Sequence, residues 1–174
     1  MNTPRLLTLA GFIAAGAAFR LLPHPPNFTP IAAMALFGGA MLAPRLLGLL
    51  LPLGALVLSD LVLGFAGFAH VPYVYGSFVM IVGLGWLLQG RVSGLTVPAA
   101  AIGASVLFFL VTNFGVWAYS GMYPPTAAGL WASYVAALPF FTHTLAGDLF
   151  YSALLFGGLA LAGRAFPVIQ GHPA

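Results

Sequence analysis

The ionisable side chains of this sequence are few enough to be considered one by one. The chain has only two acids, Asp60 and Asp148, and its five basic residues are all arginine. Both acids and Arg20 fall inside apolar stretches, where ionisable groups are costly and usually pair with one another or face a cavity. The pattern predicts a polar pocket. In it, Arg20 would meet an anionic or carbonyl group of a ligand, and the acids would accept hydrogen bonds or balance a cation.

Further polar and aromatic residues are predicted to belong to the same pocket. His24 and Asn27 follow the first apolar stretch, and Asn113 lies within a later one. Asn113 would hydrogen-bond a ligand, and Trp117 and Tyr123 would pack against a ring. The alternatives are a hydrogen bond between helices for Asn113 and an interfacial aromatic belt for Trp117 and Tyr123.

The same residue types allow other chemistry. Asp60 and Asp148 could pair with an arginine for structural reasons alone, or share a proton like the two acids of an intramembrane aspartyl protease. A metal site built from His24, His70, His143 and an aspartate is a further alternative, although their spacing shows no ligand pattern. The chain has no cysteine, which excludes thiolate sites, and it contains no phosphate-binding loop or hydrolase motif. We therefore expect no cofactor and no metal.

The composition of the chain indicates what kind of structure holds these residues. Of the 174 residues, 61% are hydrophobic and 4% are charged, and the mean hydropathy is +1.07. A soluble domain carries about 25% charged residues, so this chain cannot cover a surface that faces water. Soluble enzymes, nucleic-acid binders and disordered segments are excluded. The composition predicts an all-α integral membrane protein that contacts the lipid bilayer and has no nucleic-acid partner.

Proline, glycine and arginine divide the chain into segments close to the length of about 20 apolar residues that a membrane helix needs. The predicted helices cover residues 4–22, 29–43, 46–68, 71–89, 95–119 and 144–162. Residues 120–143 are predicted to form an outer loop with a short interfacial helix at 126–138, and a seventh span is the alternative. We expect a single membrane domain over residues 1–174.

The arginines predict the orientation, because cytoplasmic loops carry an excess of basic residues. If the N-terminus is cytoplasmic and there are six spans, the arginines that fall inside are Arg5, Arg45, Arg91 and Arg164. Only Arg20 falls toward the outside, and a seventh span would move Arg164 to the wrong side. The prediction is therefore a six-helix bundle with both termini cytoplasmic and its polar residues in the outer half.

Small residues recur along the first predicted helix. Ala10, Ala14 and Ala18 are spaced by four residues and would form a stripe along one face. A stripe of this kind lets another helix backbone approach closely. It is consistent either with packing inside the bundle or with docking of a partner.

Three stretches together carry a family resemblance. They are RLLPHPPNFTP at 20–30 with ALFGGA at 35–40, TNFGVW at 112–117, and LAGDLFYS at 145–152. The chain resembles a family of small bacterial membrane proteins of unknown function that are described as candidate transport proteins. That family is similar in turn to the substrate-binding S components of energy-coupling factor (ECF) transporters.

The resemblance implies a multi-pass six-helix bundle in the bacterial inner membrane that captures a vitamin-like or other micronutrient molecule from outside. An S component docks on a transmembrane coupling protein driven by ATPases, through an alanine motif that the spacing of Ala10, Ala14 and Ala18 matches. Asn2 stands where nickel and cobalt members have histidine, and the chain has no cysteine for the thiolate–cobalt contact of a cobalamin-transporting member. Neither substrate is thus supported by a signature, and cobalamin or another vitamin stays open. We expect a substrate-binding subunit without its own ATPase. The alternatives are an intramembrane enzyme with paired aspartates and a structural or assembly subunit of a membrane complex.

Overall fold

The described part of the chain is all-helical. The computed structural model describes residues 2–64 and 71–169. The α-helices in these ranges are α1 (Thr3–Arg20), α2 (Ile31–Met41), α3 (Arg45–Leu63), α4 (Val71–Leu87), α5 (Thr96–Tyr119) and α6 (Ala127–Ala165). A 3-10 turn at Pro167–Ile169 follows α6. Three of the helices, α3, α5 and α6, are long and apolar enough to cross a membrane, and α2 and α4 are shorter apolar helices.

The short helix α2 lies at the centre of the bundle. Every residue from Ile31 to Ala40 is buried, and α2 packs against each of the other five α-helices. A helix that is apolar on all sides avoids water on all sides, and in this structure the other helices cover it. With 11 residues it is about 16 Å long, roughly half the hydrocarbon core of a bilayer. The predicted span at 29–43 was therefore too long, because Pro30 precedes the helix and Leu42 is already extended.

Glycines allow α2 to approach its neighbours closely. A Cβ on Gly85 of α4 would lie 2.5 Å from the carbonyl oxygen of Leu36 and 3.0 Å from the Cα of Gly39. On the side of α3, a Cβ on Gly48 would lie 2.7 Å from the carbonyl oxygen of Gly38. In both places the backbones of two helices touch directly, so no larger residue fits without moving a helix.

Most predicted helix ends agree with the structure to within two residues. For α1, α4 and α5 the observed bounds are Thr3–Arg20, Val71–Leu87 and Thr96–Tyr119. One exception is the end of α3, which lies at Leu63 rather than at residue 68. Gly64 stops it by adopting φ +86°, a conformation that glycine accepts at little cost. The rest of the predicted end, residues 65–68, lies outside the described residues.

The largest difference concerns α6. It is one continuous helix of 39 residues, whereas we predicted an interfacial helix at 126–138 separated from a span at 144–162. That predicted break is wrong because α6 continues through Pro139. Just before this proline, the hydroxyls of Ser133 and Tyr134 donate to backbone carbonyls of α5, at 3.1 and 3.0 Å. These contacts align the segment with α5 and support it where Pro139 lacks a backbone donor.

Basic residues gather at one end of the bundle. The guanidinium of Arg5 donates to the carbonyl of Ile169 at 2.9 Å. Arg5 and Arg164 line one surface cavity, together with the end of α2 and the connection between α4 and α5. Arg91 lies in this connection. Arg45, at the start of α3, lies 5.7 Å over the ring of Trp86 near the end of α4. Arg20 stands at the opposite end of α1.

We expect Gly85→Ala to lower the midpoint of thermal unfolding, measured by circular dichroism in detergent. The new methyl group would meet the backbone of α2, and overpacking of this kind costs about 1–3 kcal/mol. Gly83→Ala is the matched control on the same helix, because a Cβ there meets only a ring carbon of Trp86 at 4.0 Å. Equal midpoints for the two variants would contradict the close approach of α2 and α4.

Candidate functional site

A cavity of about 320 Å³ opens beside the amino end of α2. Its size falls within the range of about 300–1,000 Å³ that is typical of ligand pockets. Residues from all six α-helices and from the connection before α2 line it, and we call it the charged cavity. Its polar lining residues are Arg20, Asn27, Thr29, Asp60, Tyr75, Thr144 and Asp148. The two acids and the one arginine predicted to form a pocket thus lie around a single space.

An ion pair joins α1 and α3 at the wall of this cavity. Nη2 of Arg20 lies 2.5 Å from Oδ1 of Asp60, and Nη1 of Arg20 donates to the hydroxyl of Ser59. The hydroxyl of Tyr75 on α4 donates to the other carboxylate oxygen of Asp60 at 2.7 Å. The charge of Arg20 is therefore balanced within the protein, and three helices are connected through one carboxylate.

The helical repeat explains why Asp60 faces inward. On α3 the buried residues Gly48, Pro52, Leu56 and Asp60 are spaced by four, so they share one face of the helix. This face packs toward α2 over its first turns and reaches the cavity at Leu56 and Asp60. Asp60 is thus the last residue of this buried face of α3, and it lies at the cavity beside the amino end of α2.

Asp148 is the more deeply buried acid, with 2% of its surface exposed. The hydroxyl of Ser105 on α5 donates to its Oδ2 at 2.6 Å. The connection before α2 runs close by, since a Cβ on Gly147 would lie 3.2 Å from the Cα of Phe28. Among the described residues, Asp148 takes part in no ion pair. The two acids therefore have different surroundings and separate partners.

A second space, of about 250 Å³, adjoins the charged cavity. The two share Asn27, Val74, Phe108 and Thr144 as lining residues. Half of its other lining residues are aromatic, namely Tyr73, Phe109, Phe140 and Phe141, so we call it the aromatic cavity. Asn113 also lines it, and its side-chain amide donates to the carbonyl of Phe109 at 2.8 Å. The structure thus places Asn113 in this second space rather than beside the acids.

Three of the predicted pocket residues line neither cavity. The ring nitrogens of His24 lie 3.3 Å from the carbonyl oxygen of Arg20 and 3.0 Å from that of Pro25. Nε1 of Trp117 donates to the carbonyl of Pro124 at 3.0 Å. Tyr123 is half-buried in the connection between α5 and α6. These residues shape the end of the bundle around the cavities.

Sequence reasoning missed several hydroxyl groups at the site. Ser59, Tyr75 and Ser105 contact the charged residues directly, and Thr144 lines both cavities. The sequence feature that could have indicated these residues is a hydroxyl side chain in an otherwise apolar helix. For Ser59 this signal was stronger, because it immediately precedes Asp60.

The metal alternative gains no support from these contacts. His70 lies outside the described residues. Within the ranges that the structure describes, no three histidine, cysteine or acidic side chains are grouped so as to hold a metal ion.

The alanine stripe of α1 lines a separate apolar groove. Ala10, Ala14 and Ala18 face Gly54 and Ala55 of α3 across a space of about 460 Å³. Ala14 and Ala18 are exposed, and Ala10 is partly so. We call this surface the α1–α3 groove. Small side chains on both sides would allow a further helix to approach the backbone closely.

Comparison with known proteins identifies the family. Over residues 1–169 the chain matches DUF6580, a family of unknown function. The chain belongs to this family. No curated protein and no solved structure matches it significantly. Membership in DUF6580 assigns no activity, so a function for this DUF6580 protein has to be argued from its cavities and its groove.

We expect Arg20→Gln and Asp60→Asn each to lower the free energy of unfolding, because each leaves a largely buried charge without its partner. The double variant removes both charges, so its loss should be smaller than the sum of the single losses. The difference should amount to about 0.5–3 kcal/mol. This difference is obtained from the free energies of unfolding of the wild type, the two single variants and the double variant in one detergent. Arg91→Gln at the opposite end of the bundle is the control. Additive losses would show that the two side chains are not coupled.

Proposed function

We propose that this DUF6580 protein is the substrate-binding subunit of an uptake system for a small vitamin-like or other micronutrient molecule. One observation supports this proposal above all others. The chain has two acids, and both line a cavity of ligand size next to an aromatic one. Helix packing alone gives no reason for the only two acids of so apolar a chain to line the same cavity.

The proposal includes a multi-pass arrangement in the bacterial inner membrane. The end with Arg5, Arg45, Arg91 and Arg164 would face the cytoplasm together with both termini, following the excess of basic residues on that side. The cavities would then open to the outside. The short helix α2 is compatible with this arrangement, because the other helices cover it on every side.

Energy for uptake would come from partner subunits, since the sequence has no phosphate-binding loop of its own. We propose that the α1–α3 groove takes an apolar transmembrane helix of an ECF-type coupling protein, which in turn binds ATPases. The groove is lined almost entirely by apolar side chains. Ala10, Ala14 and Ala18 form its wall on α1, where small residues favour helix association in membranes.

The geometry favours binding over catalysis by an acid pair. Two acids that share a proton lie in direct contact. Here Asp60 is engaged by Arg20 and Tyr75, whereas Asp148 is engaged by Ser105. A structural or assembly subunit would use the groove but would have no need of the cavities.

The proposed orientation can be tested with single cysteines, because the chain has none. Val92 lies in the connection between α4 and α5, and Met122 lies in that between α5 and α6. An impermeant maleimide should label Met122→Cys in intact cells and Val92→Cys only after permeabilisation. The reverse pattern, or labelling of both in intact cells, would contradict the proposed arrangement.

Native mass spectrometry of the gently extracted protein tests the two proposed surfaces separately. We expect the wild-type protein to carry a small molecule, which the double variant Arg20→Gln/Asp60→Asn loses. Ala14→Leu narrows the groove, so this variant should keep the small molecule and lose any partner subunit. A small molecule that is processed to a product, with turnover abolished in Asp60→Asn, would favour the enzyme instead. No bound molecule together with an obligatory partner would favour a structural subunit.

A further inference from the structure

The charges that line the charged cavity do not balance. Among the described lining residues, Arg20 is the one cation, and Asp60 pairs with it. Asp148 faces the same space without an ion-pair partner in the described part of the chain. The amino end of α2 contributes only about half a positive charge. Among the described residues, Asp148 is therefore an acid without a charge partner, beside an empty space that a cation could enter.

Asp148 also has fewer hydrogen-bond donors around it than a carboxylate can use. An ionised carboxylate can accept at about four sites, but in the described part of the chain the side-chain donor to Asp148 is Ser105 alone, at 2.6 Å. The hydroxyl of Ser105 lies 3.0 Å from the carbonyl oxygen of Ala101 as well, and it carries a single hydrogen. Asp148 thus shares its one donor with the backbone of α5, and a ligand that brings donors would complete its contacts.

The walls around this acid suit a cation with an apolar body. Tyr75, Phe78 and Phe108 line the charged cavity, and the rings of Phe78 and Phe108 lie 5.3 Å apart. Aromatic faces attract cations and repel anions because of their quadrupole. Phe108 also belongs to the aromatic cavity, which would receive a ring or another apolar group attached to the cation.

A bare metal ion fits this arrangement less well than an organic cation. Hard divalent metals take six or more oxygen ligands, and Asp148 is the only carboxylate among the described lining residues that Arg20 does not already engage. An ammonium or cationic heteroaromatic group needs fewer contacts and gains from the aromatic walls.

We infer that the ligand of the charged cavity is a small organic cation, whose charged group pairs with Asp148 while its apolar part enters the aromatic cavity. This inference rests on the proposed binding function and names the class of molecule. Asp148 is the specificity-determining residue, and the ion pair of Arg20 with Asp60 holds the opposite wall in place.

The test exposes the purified wild-type protein in detergent to a bacterial metabolite extract, washes it, and identifies the retained molecules by native and tandem mass spectrometry. We expect retained molecules to carry a positive charge at neutral pH. Titration of the identified compound should show affinity reduced about thirty-fold or more in Asp148→Asn. Arg91→Gln at the opposite end of the bundle also removes a charge but lines neither cavity, so this control should retain the affinity.

The outcomes distinguish a failure of this inference from a failure of the proposed function. Retention of anions or neutral molecules, or unchanged affinity in Asp148→Asn, would overturn the inference and leave the binding function standing. Retention of nothing by the folded wild-type protein would overturn both. The charge of the retained molecule is read on the wild-type protein, so the test holds even if Asp148→Asn fails to fold.

Discussion

The cavities of this protein depend on the difference in length between α2 and the helices that surround it. α2 has 11 residues, whereas α1, α3 and α5 have 18, 19 and 24. The longer helices cover α2 on every side, and they extend beyond its amino end. The space left there is closed laterally by these helices and at its base by Ile31 and Ala32. The charged cavity is thus a direct consequence of a short helix at the centre of longer ones.

Where apolar packing stops, polar contacts hold the helices together. Asp60 binds Arg20 of α1 and Tyr75 of α4, and Asp148 on α6 accepts from Ser105 of α5. Such contacts stay strong because little water competes with them. The cavity therefore keeps its walls in place without side chains that would fill it.

The sequence allowed much of this architecture to be predicted, but not its details. The bounds of α1, α4 and α5 followed from proline and glycine, and the meeting of Arg20, Asp60 and Asp148 followed from the scarcity of charge. The continuity of α6 did not follow, because Pro139 is a strong local signal for a break and only contacts with α5 override it. The roles of Tyr75 and Ser105 could not be predicted either, because their partners lie on other helices and leave no pattern in the local sequence.

The charged cavity and the α1–α3 groove share a wall, although they face in different directions. Leu56 and Asp60 line the cavity, while Ser59, between them, lines the groove. The hydroxyl of Ser59 accepts from Arg20 and donates to the carbonyl of Leu56 at 2.9 Å. One turn of α3 therefore belongs to both surfaces. Because Arg20 contacts both Ser59 and Asp60, the two surfaces are connected through neighbouring atoms rather than through the length of the bundle.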